Sequence, residues 1–201
     1  MSRKPTILFR KSVAALSVAI AGLGLAACTA TVPQGKQTVA ERRADVDARA
    51  DAALTRLYEV VPDARSTVAK AKGVLVFPRV LSAGFVVGAE HGDGVLRVNG
   101  RNQGYYSTSS GSIGFQAGAQ SKAIILLFMT QQALDDFRAS NGWTAGVNAT
   151  VAVANVGANG AVDTNTLREP VVAFVMTNAG LMAGVSLEGT KINKLEDTPK
   201  P

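Results

Sequence analysis

The chain's single histidine, His91, lies in the stretch GAEHGDGVL, with Glu90 directly before it and Asp93 two positions after it. Such a cluster could form a metal site, an acid–base pair or a hairpin turn without chemistry. Gly92 and Gly94 flank Asp93, and glycines supply the positive φ values that tight hairpin loops need. A lone imidazole with no second histidine and no cysteine gives at most a weak metal site. We therefore predict a solvated turn between two strands, with no catalytic residue and no metal site.

Serines follow this stretch at several positions, namely Ser107, Ser109, Ser110 and Ser112, but the nucleophile-elbow pattern G-x-S-x-G is absent from the sequence. Ser-His-acid catalysis needs a positioned base, and His91 is the only histidine that could supply it. Because that residue falls in a predicted turn, we expect a protein that is not an enzyme and needs no cofactor.

The N-terminal segment has the organisation of a signal peptide. A basic start, RKPTILFRK, precedes fifteen apolar or small residues at positions 13–27. This apolar stretch is too short for a spanning helix, although an N-terminal membrane anchor is the alternative. The following LAAC, residues 25–28, resembles the lipobox of bacterial lipoproteins, in which cleavage falls before the cysteine and its thiol carries a diacylglycerol. We therefore predict a lipoprotein signal peptide over residues 1–27 and lipidation of Cys28, the only cysteine.

The residues around Cys28 also predict a location and a corrected charge. Thr29 follows the cysteine, and by analogy with the sorting of Gram-negative lipoproteins this indicates the outer membrane, facing the periplasm. We interpret residues 28–37, polar and containing Pro33 and Gly35, as a flexible tether, and residues 38–201 as the folded domain. Four of the 21 Lys and Arg residues lie in the signal peptide, which leaves 17 against 15 Asp and Glu, a net charge of +2. We therefore expect no nucleic-acid partner.

Two helices are predicted to begin the folded domain. Thr38 and Glu41 have the spacing of a capping box, and an apolar stripe at helical spacing follows, formed by Ala50, Leu54, Leu57, Tyr58 and Val61. The opposite face is charged and could contact a membrane surface; it carries Arg42, Arg43, Asp45, Arg49 and Arg56. We favour a core-packing helix whose charged face pairs with itself, as Asp45 and Arg49 would at i,i+4. Pro62 ends this helix, and DARSTVAKAK predicts a second, short one that stops at Gly73.

From Gly73 onward the sequence is typical of β-structure. Short segments rich in β-branched or aromatic residues are separated by Gly, Asn, Ser or Asp. The apolar run AIILLFM, residues 123–129, predicts a strand buried on both faces, and TQQALDDFRAS predicts a helix with Leu134 and Phe137 on its inner side. The predicted class is α+β: N-terminal helices followed by a largely antiparallel, curved sheet or partial barrel with one inserted helix.

Three of these segments repeat a glycine pattern, with glycines four apart at positions 84 and 88, 114 and 118, and 180 and 184. Positions four apart on a strand share a face, and glycine weakens a strand unless something approaches closely or the strand bends. We interpret the pattern as close packing or sheet curvature, and a flat apolar ligand is the alternative.

Three stretches together resemble the SYLF domain family: AKGVLVFPRVLSAGFVVGAEHGDGVL, SIGFQAGAQSKAIILLFMTQQALDDF and LMAGVSLEGTKI. The resemblance runs from about Leu54 to Leu195. It implies a non-enzymatic, lipid-binding module, since eukaryotic members of the family bind phosphoinositides and some bind actin filaments. The chain departs from the family pattern in two places: Tyr105 replaces a usual tryptophan, and Lys122 stands where an aspartate is usual.

Four basic residues are the candidate lipid contacts. Lys70, Lys72 and Arg79 bracket the GVLVFP segment, and Lys122 precedes the most apolar strand. Each cation beside an anionic membrane surface is worth about 1 kcal/mol, whereas the alternative is a set of scattered surface cations. We predict an outer-membrane lipoprotein whose SYLF-like domain, on the periplasmic face, binds anionic membrane phospholipid. The alternative is an envelope structural or protein-interaction module with an envelope protein as partner and lipid attached only at the anchor.

Overall fold

The computed structural model describes residues 37–154, 163, 165–182 and 184–196, without the side chains of residues 85–87, 112–119 and 167. The described residues belong to one compact unit, Lys36–Pro201. Cys28, the predicted signal peptide and the tether up to residue 36 lie outside them. Within the described ranges, no helix has the length and apolar character needed to cross a membrane.

The described elements follow the predicted order of helices first and strands afterwards. They are α1 (Val39–Val60), α2 (Ala64–Lys70), β1 (Gly73–Val98), β2 (Arg101–Phe128), α3 (Gln131–Ala139), β3 (Trp143–Thr144), β4 (Val151–Val153), a 3₁₀ turn (Thr166–Arg168), β5 (Val171–Thr177), β6 (Gly180–Leu181) and β7 (Lys191–Lys194). The strands form one strongly curled, half-barrel sheet in which only the β4–β5 pair is parallel. The predicted α+β class, with a curved sheet and one inserted helix, is confirmed.

A long antiparallel hairpin of β1 and β2 dominates the sheet. Its pairing extends from Val98 and Arg101 at the tip to Gly73 and Phe128 at the base. Asn99 and Gly100 connect the strands, and both have positive φ, at 50° and 73°. Positive φ at both central residues is the property of a type I′ turn, which Asn-Gly favours. The turn of this hairpin is therefore Asn99-Gly100.

The turn predicted at residues 90–94 is wrong. Those residues lie inside β1, where His91 pairs with Ser109 and Asp93 pairs with Ser107 across the ladder. Gly92 and Gly94 do not have the positive φ that the prediction assigned to them. Glycine is needed at these two positions because other atoms of the curved strand β1 come too close to leave room for a Cβ.

The hairpin curls so strongly that β1 approaches itself. Its register shifts at three places, between residues 77 and 80, 84 and 86, and 96 and 97, and such bulges bend and twist a strand. An ideal Cβ on Gly94 would lie 2.5 Å from the Phe77 ring and from the Val76 carbonyl oxygen, and one on Gly92 would lie 2.5 Å from the Arg79 carbonyl oxygen. Gly92 and Gly94, which do not belong to the repeated glycine pattern, are therefore needed for close packing in a curved sheet.

The third copy of the glycine pattern is not a packed strand. Gly180 and Gly184 have φ values of 127° and 69°, and a Cβ at either position would meet nothing within 4 Å. The strand described at this copy of the pattern is β6, Gly180–Leu181, which is two residues long. Backbone conformation, and not close approach, explains glycine at these two positions.

Two apolar layers cover the two faces of the sheet. Ile125 and Leu127 pack with Ala50 and Leu57 of α1, while the alternate residues of β2 pack with α3 residues such as Phe137. Residues 124–128 are all buried, because side chains alternate between two covered faces. The prediction that AIILLFM is buried on both sides is confirmed, as is the inward placement of Leu134 and Phe137.

Helix α1 is capped and then fastened to the hairpin by its charged face. The predicted capping box between Thr38 and Glu41 is present, and Arg49 Nε donates to Asp45 at 2.7 Å. Other acids on this face bind the hairpin instead of the helix. The carboxylate of Asp47 accepts from Asn102 Nδ2 at 2.9 Å and from the Tyr105 hydroxyl at 2.8 Å, and Asp51 pairs with Arg97.

We expect Asp47→Ala to destabilise the fold by about 1–3 kcal/mol, because two donors lose their acceptor. Burial and the hydrogen bond to Asp47 raise the pKa of Tyr105 above its ordinary value of 10.0. This contribution to stability is full below pH 10 and is lost as the pH rises through the raised pKa. In Asp47→Ala the pKa of Tyr105 should fall. Urea unfolding at pH 7 and an NMR titration of Tyr105 measure both effects.

The matched control is Glu59→Ala, which removes an exposed carboxylate from the same helix. Its unfolding free energy should stay within about 0.5 kcal/mol of that of the parent chain. Equal losses in the two variants would show that Asp47 does not fasten α1 to the hairpin.

Candidate anion-binding site

A cavity of about 330 Å³ lies where the second half of α1 meets the curled sheet. It is lined by Arg49, Ala52, Ala53, Arg56, Pro78, Arg79, Ser121, Lys122, Ala123, Met176, Thr177 and Asn178. Four of these residues are cationic, and none of the described lining residues is acidic. We call it the basic cavity. Its volume is at the lower end of the range of about 300–1,000 Å³ typical of small-ligand sites.

Arg79 reaches the basic cavity through a bulge in β1. Phe77 pairs with Ile124 and Val80 with Lys122, so that Pro78 and Arg79 together oppose the single residue Ala123. A bulge of this kind redirects a side chain relative to the regular ladder. Arg79 is exposed, and its guanidinium has no hydrogen bond or ion pair with any described residue. It is therefore available to an anion.

Lys122 is present in the cavity but already paired. Its ammonium donates to both carboxylate oxygens of Glu90, at 2.9 and 2.8 Å. Ser110 Oγ also donates to Glu90, at 3.1 Å. The side chains of Lys122 and Glu90 are only 17% and 15% exposed. Glu90 thus acts as an internal counter-ion of the site, and a bound anion would compete with it for Lys122.

The two arginines from α1 differ in how firmly they are held. Arg56 donates to the carbonyl oxygen of Asn178 at 2.6 Å, which fixes it against the turn between β5 and β6. Arg49 pairs with Asp45 in a bond that is half exposed on both sides, and exposed pairs of this kind contribute little energy. Arg49 can therefore turn toward a ligand at small cost.

Two of the four predicted lipid contacts meet in this cavity. Arg79 and Lys122 both line it, whereas Lys70 and Lys72 are exposed and are not among its described lining residues. The sequence placed Arg49 and Arg56 on the charged face of α1, but neither residue was among the four predicted lipid contacts. Their spacing of seven residues, two turns on one helix face, was the signal that pointed to a shared site.

His91 and Asp93 belong to a different place. They lie on one face of β1, with His91 Nε2 3.7 Å from Asp93 Oδ1, and they line a second cavity under the first half of α1. No cluster of three or more potential metal ligands occurs among the described residues. Glu90 points instead to Lys122, so the three residues of the EHGD stretch do not act together.

Comparison with known proteins finds a family that matches the second half of the chain. Residues 109–200 match the model of the Ysc84 family, which is described as "Las17-binding protein actin regulator". The predicted resemblance to the SYLF family is confirmed by this match.

Its curated relatives include the "SH3 domain-containing YSC84-like protein 1" of several vertebrates. The chain is 31% identical to the Rattus norvegicus protein and 30% identical to the Bos taurus protein over 138 residues, and 29% identical to the Xenopus laevis protein over 136 residues. The matched region covers 65% of this chain but 40% of each relative. The chain therefore spans 40% of the length of these curated relatives.

Proposed function

We propose that the domain is a non-enzymatic module that binds an anionic membrane phospholipid through the basic cavity. The observation that carries the proposal is the convergence of Arg49, Arg56, Arg79 and Lys122 on one cavity without an acidic residue in its described lining. Arginine donors match the oxygens of a phosphate group in pairs. Arg79 has no partner among the described residues, and the pairs of Arg49 and Lys122 can be exchanged for a phosphate.

The proposed lipid anchor would keep this cavity close to a bilayer. Acylation of Cys28 would hold the protein at the outer membrane, on its periplasmic face, and the tether of residues 28–37 would reach about 30 Å when extended. Tethering turns headgroup binding into an intramolecular event with a high effective concentration. A weak headgroup site is then sufficient for function.

An envelope protein-interaction module is the second candidate. The matched family description names a protein partner, and three large apolar side chains are exposed on the described surface, Val60 at 39%, Leu81 at 46% and Val147 at 80%. In this alternative, lipid is attached to the protein only at the Cys28 anchor, and the folded domain binds a protein. A stoichiometric partner in detergent extracts, together with no vesicle binding by the folded unit, would favour it.

Vesicle co-sedimentation of residues 36–201, which lack Cys28, tests the basic cavity. We expect binding to vesicles containing phosphatidylglycerol at low salt, little binding to phosphatidylcholine vesicles, and a loss of affinity as salt is raised. The double variant Arg49→Gln/Arg79→Gln should bind about thirtyfold more weakly, since each charge is worth about 1 kcal/mol.

The matched control, Arg101→Gln/Arg138→Gln, removes the same charge from exposed sites that do not line the cavity. It should lose less than about threefold in affinity, through the long-range field alone. Equal losses in the two double variants would overturn the basic cavity as the site, and no binding of the parent unit would overturn lipid binding by the domain. Labelled palmitate incorporation into the full-length protein, with Cys28→Ser as control, tests the anchor separately.

A further inference from the structure

A second cavity, of about 320 Å³, lies under the first half of α1. Its lining comes from three parts of the fold, namely α1 with Val39, Arg42, Arg43 and Val46, the hairpin with His91, Asp93, Tyr105 and Ser107, and the C-terminal segment with Leu195 and Glu196. Its volume also falls at the lower end of the range typical of small-ligand sites. We call it the mixed cavity, because cations and anions both line it.

The charges of the mixed cavity are separated by element. Both arginines, Arg42 and Arg43, come from the helix, while the two carboxylates come from other elements, Asp93 from β1 and Glu196 from the C-terminal segment. The guanidinium of Arg43 lies 4.9 Å from the centroid of the Tyr105 ring, which restricts its position. The cavity therefore has a cationic wall and an anionic wall.

Each wall carries at least one charge that is not paired with a charge on the other wall. Arg42 is exposed, and its guanidinium has no hydrogen bond or ion pair with a described residue; the same holds for the carboxylate of Glu196. Asp93 faces His91 at 3.7 Å, beyond normal hydrogen-bond length. Arg42 and Glu196 line one cavity without pairing with each other or with another described residue, which leaves room for a ligand that carries both signs.

We propose that the mixed cavity binds a zwitterionic group made of a phosphate and a primary ammonium, as in phosphoethanolamine. The phosphate oxygens would accept from Arg42 and Arg43, and the three N–H donors of the ammonium would reach Asp93 and Glu196. A simple anion would leave the carboxylate wall unpaired, and a simple cation would leave the arginine wall unpaired. Val39, Val46 and Leu195 supply apolar contact for the carbon atoms of the ligand.

This site is distinct from the basic cavity and does not depend on its function. The described lining of the basic cavity has no carboxylate, so it does not discriminate in favour of an ammonium group. Arg42 and Arg49 are seven residues apart on α1, a distance of about 10 Å along the helix axis. The ligand could be free phosphoethanolamine or the headgroup of phosphatidylethanolamine, which share this chemistry.

An NMR titration of the full-length protein with phosphoethanolamine tests the proposal. We expect shifts at His91 and Tyr105, and weaker shifts at the same concentration of ethanolamine or inorganic phosphate. Arg42→Gln and Asp93→Asn should each weaken binding about tenfold, because each removes a charge-assisted contact. The controls Arg101→Gln and Glu59→Gln carry the same charge changes at exposed positions outside the cavity and should weaken it less than twofold.

The source of the ligand is decided with vesicles of phosphatidylethanolamine and phosphatidylcholine. Shifts at His91 and Tyr105 with phosphatidylethanolamine alone support a membrane headgroup, whereas shifts with free phosphoethanolamine but neither vesicle support a soluble ligand. Three results would overturn the proposal. These are equal response to inorganic phosphate, loss of binding in only one of Arg42→Gln and Asp93→Asn, and loss of the shifts in Arg49→Gln/Arg79→Gln, which would assign the ligand to the basic cavity.

Discussion

Gly94→Ala is expected to destabilise the domain by about 3 kcal/mol or more, the largest effect of any single methyl group considered for this chain. The added carbon would lie 2.5 Å from the backbone oxygen of Val76 and 2.5 Å from the ring of Phe77, which is fully buried. A backbone oxygen cannot rotate away as a side chain can, so the curl of β1 must open. Overpacking of this kind costs about 1–3 kcal/mol, and more where the surroundings are rigid.

The control for this experiment is Gly111→Ala, in the other strand of the same hairpin. A Cβ on Gly111 would meet nothing within 4 Å, and the φ of this residue is not in the left-handed region. Alanine there should be neutral or stabilise by about 0.5 kcal/mol, since it reduces the freedom of the unfolded chain. Urea unfolding measures both variants, and a Gly94→Ala loss no larger than that of Gly111→Ala would contradict the close approach within β1.

Glu90→Gln is expected to increase the affinity of residues 36–201 for anionic vesicles about tenfold. The substitution keeps the size of the side chain but removes the charge that holds Lys122 at 2.8 Å. The released ammonium can then bind a phosphate, and the local repulsion of that phosphate by the carboxylate disappears. Together these two changes are worth about 1.4 kcal/mol, on the scale of about 1 kcal/mol for each charge near the surface.

The same substitution should lower stability, because it leaves a mostly covered ammonium with a weaker partner. We expect a loss of about 1–2 kcal/mol, less than for a fully buried pair since both side chains retain some contact with water. If Glu90→Gln lowers the free energy of unfolding but raises vesicle affinity, Glu90 is a counter-ion of the site. A residue that only supports the fold would lower stability without raising affinity. Urea unfolding and vesicle co-sedimentation of the same preparations measure the free energy of unfolding and the vesicle affinity.

Glu188→Gln is the matched control, because it removes the charge of an exposed glutamate outside the basic cavity. It should change vesicle affinity less than twofold. If Glu90→Gln binds no more tightly than this control, Glu90 does not compete for Lys122. A double variant, Glu90→Gln/Lys122→Gln, should lose the gain, and this coupling isolates the pair from the other charges.

Local sequence signals predicted the helices well and the hairpin poorly. The ends of α1 follow from the Thr38 capping box and Pro62, which act through neighbouring backbone groups. In β1, the GDG sequence suggested a turn because glycine and aspartate are common in turns. The Asn99-Gly100 pair was the stronger turn signal. Only tertiary packing of residues 92–94 against residues 76–80 distinguishes a glycine needed for space from one needed for positive φ.

The candidate site was predicted in part for a similar reason. Arg79 and Lys122 were singled out by their positions beside apolar strands, and both line the basic cavity. Arg49 and Arg56 join them only because α1 packs across the sheet, at a place no local pattern specifies. The Glu90–Lys122 pair joins positions 32 residues apart, which meet only once the register of the hairpin is known.

The Asn99-Gly100 turn has a consequence for the order of folding. The ladder between β1 and β2 extends outward from this turn, from Val98 and Arg101 to Gly73 and Phe128, and is interrupted only by its three register shifts. Once the turn has formed, each further rung encloses only a few more residues, so the entropy lost in closing the loop grows slowly. We expect pairing to start at the turn and to proceed outward toward the base of the hairpin. Strand β5, which pairs with residues 123–128 of β2, should then join the sheet late. Mutations at Asn99 should then slow refolding, whereas mutations in β5 should chiefly speed unfolding.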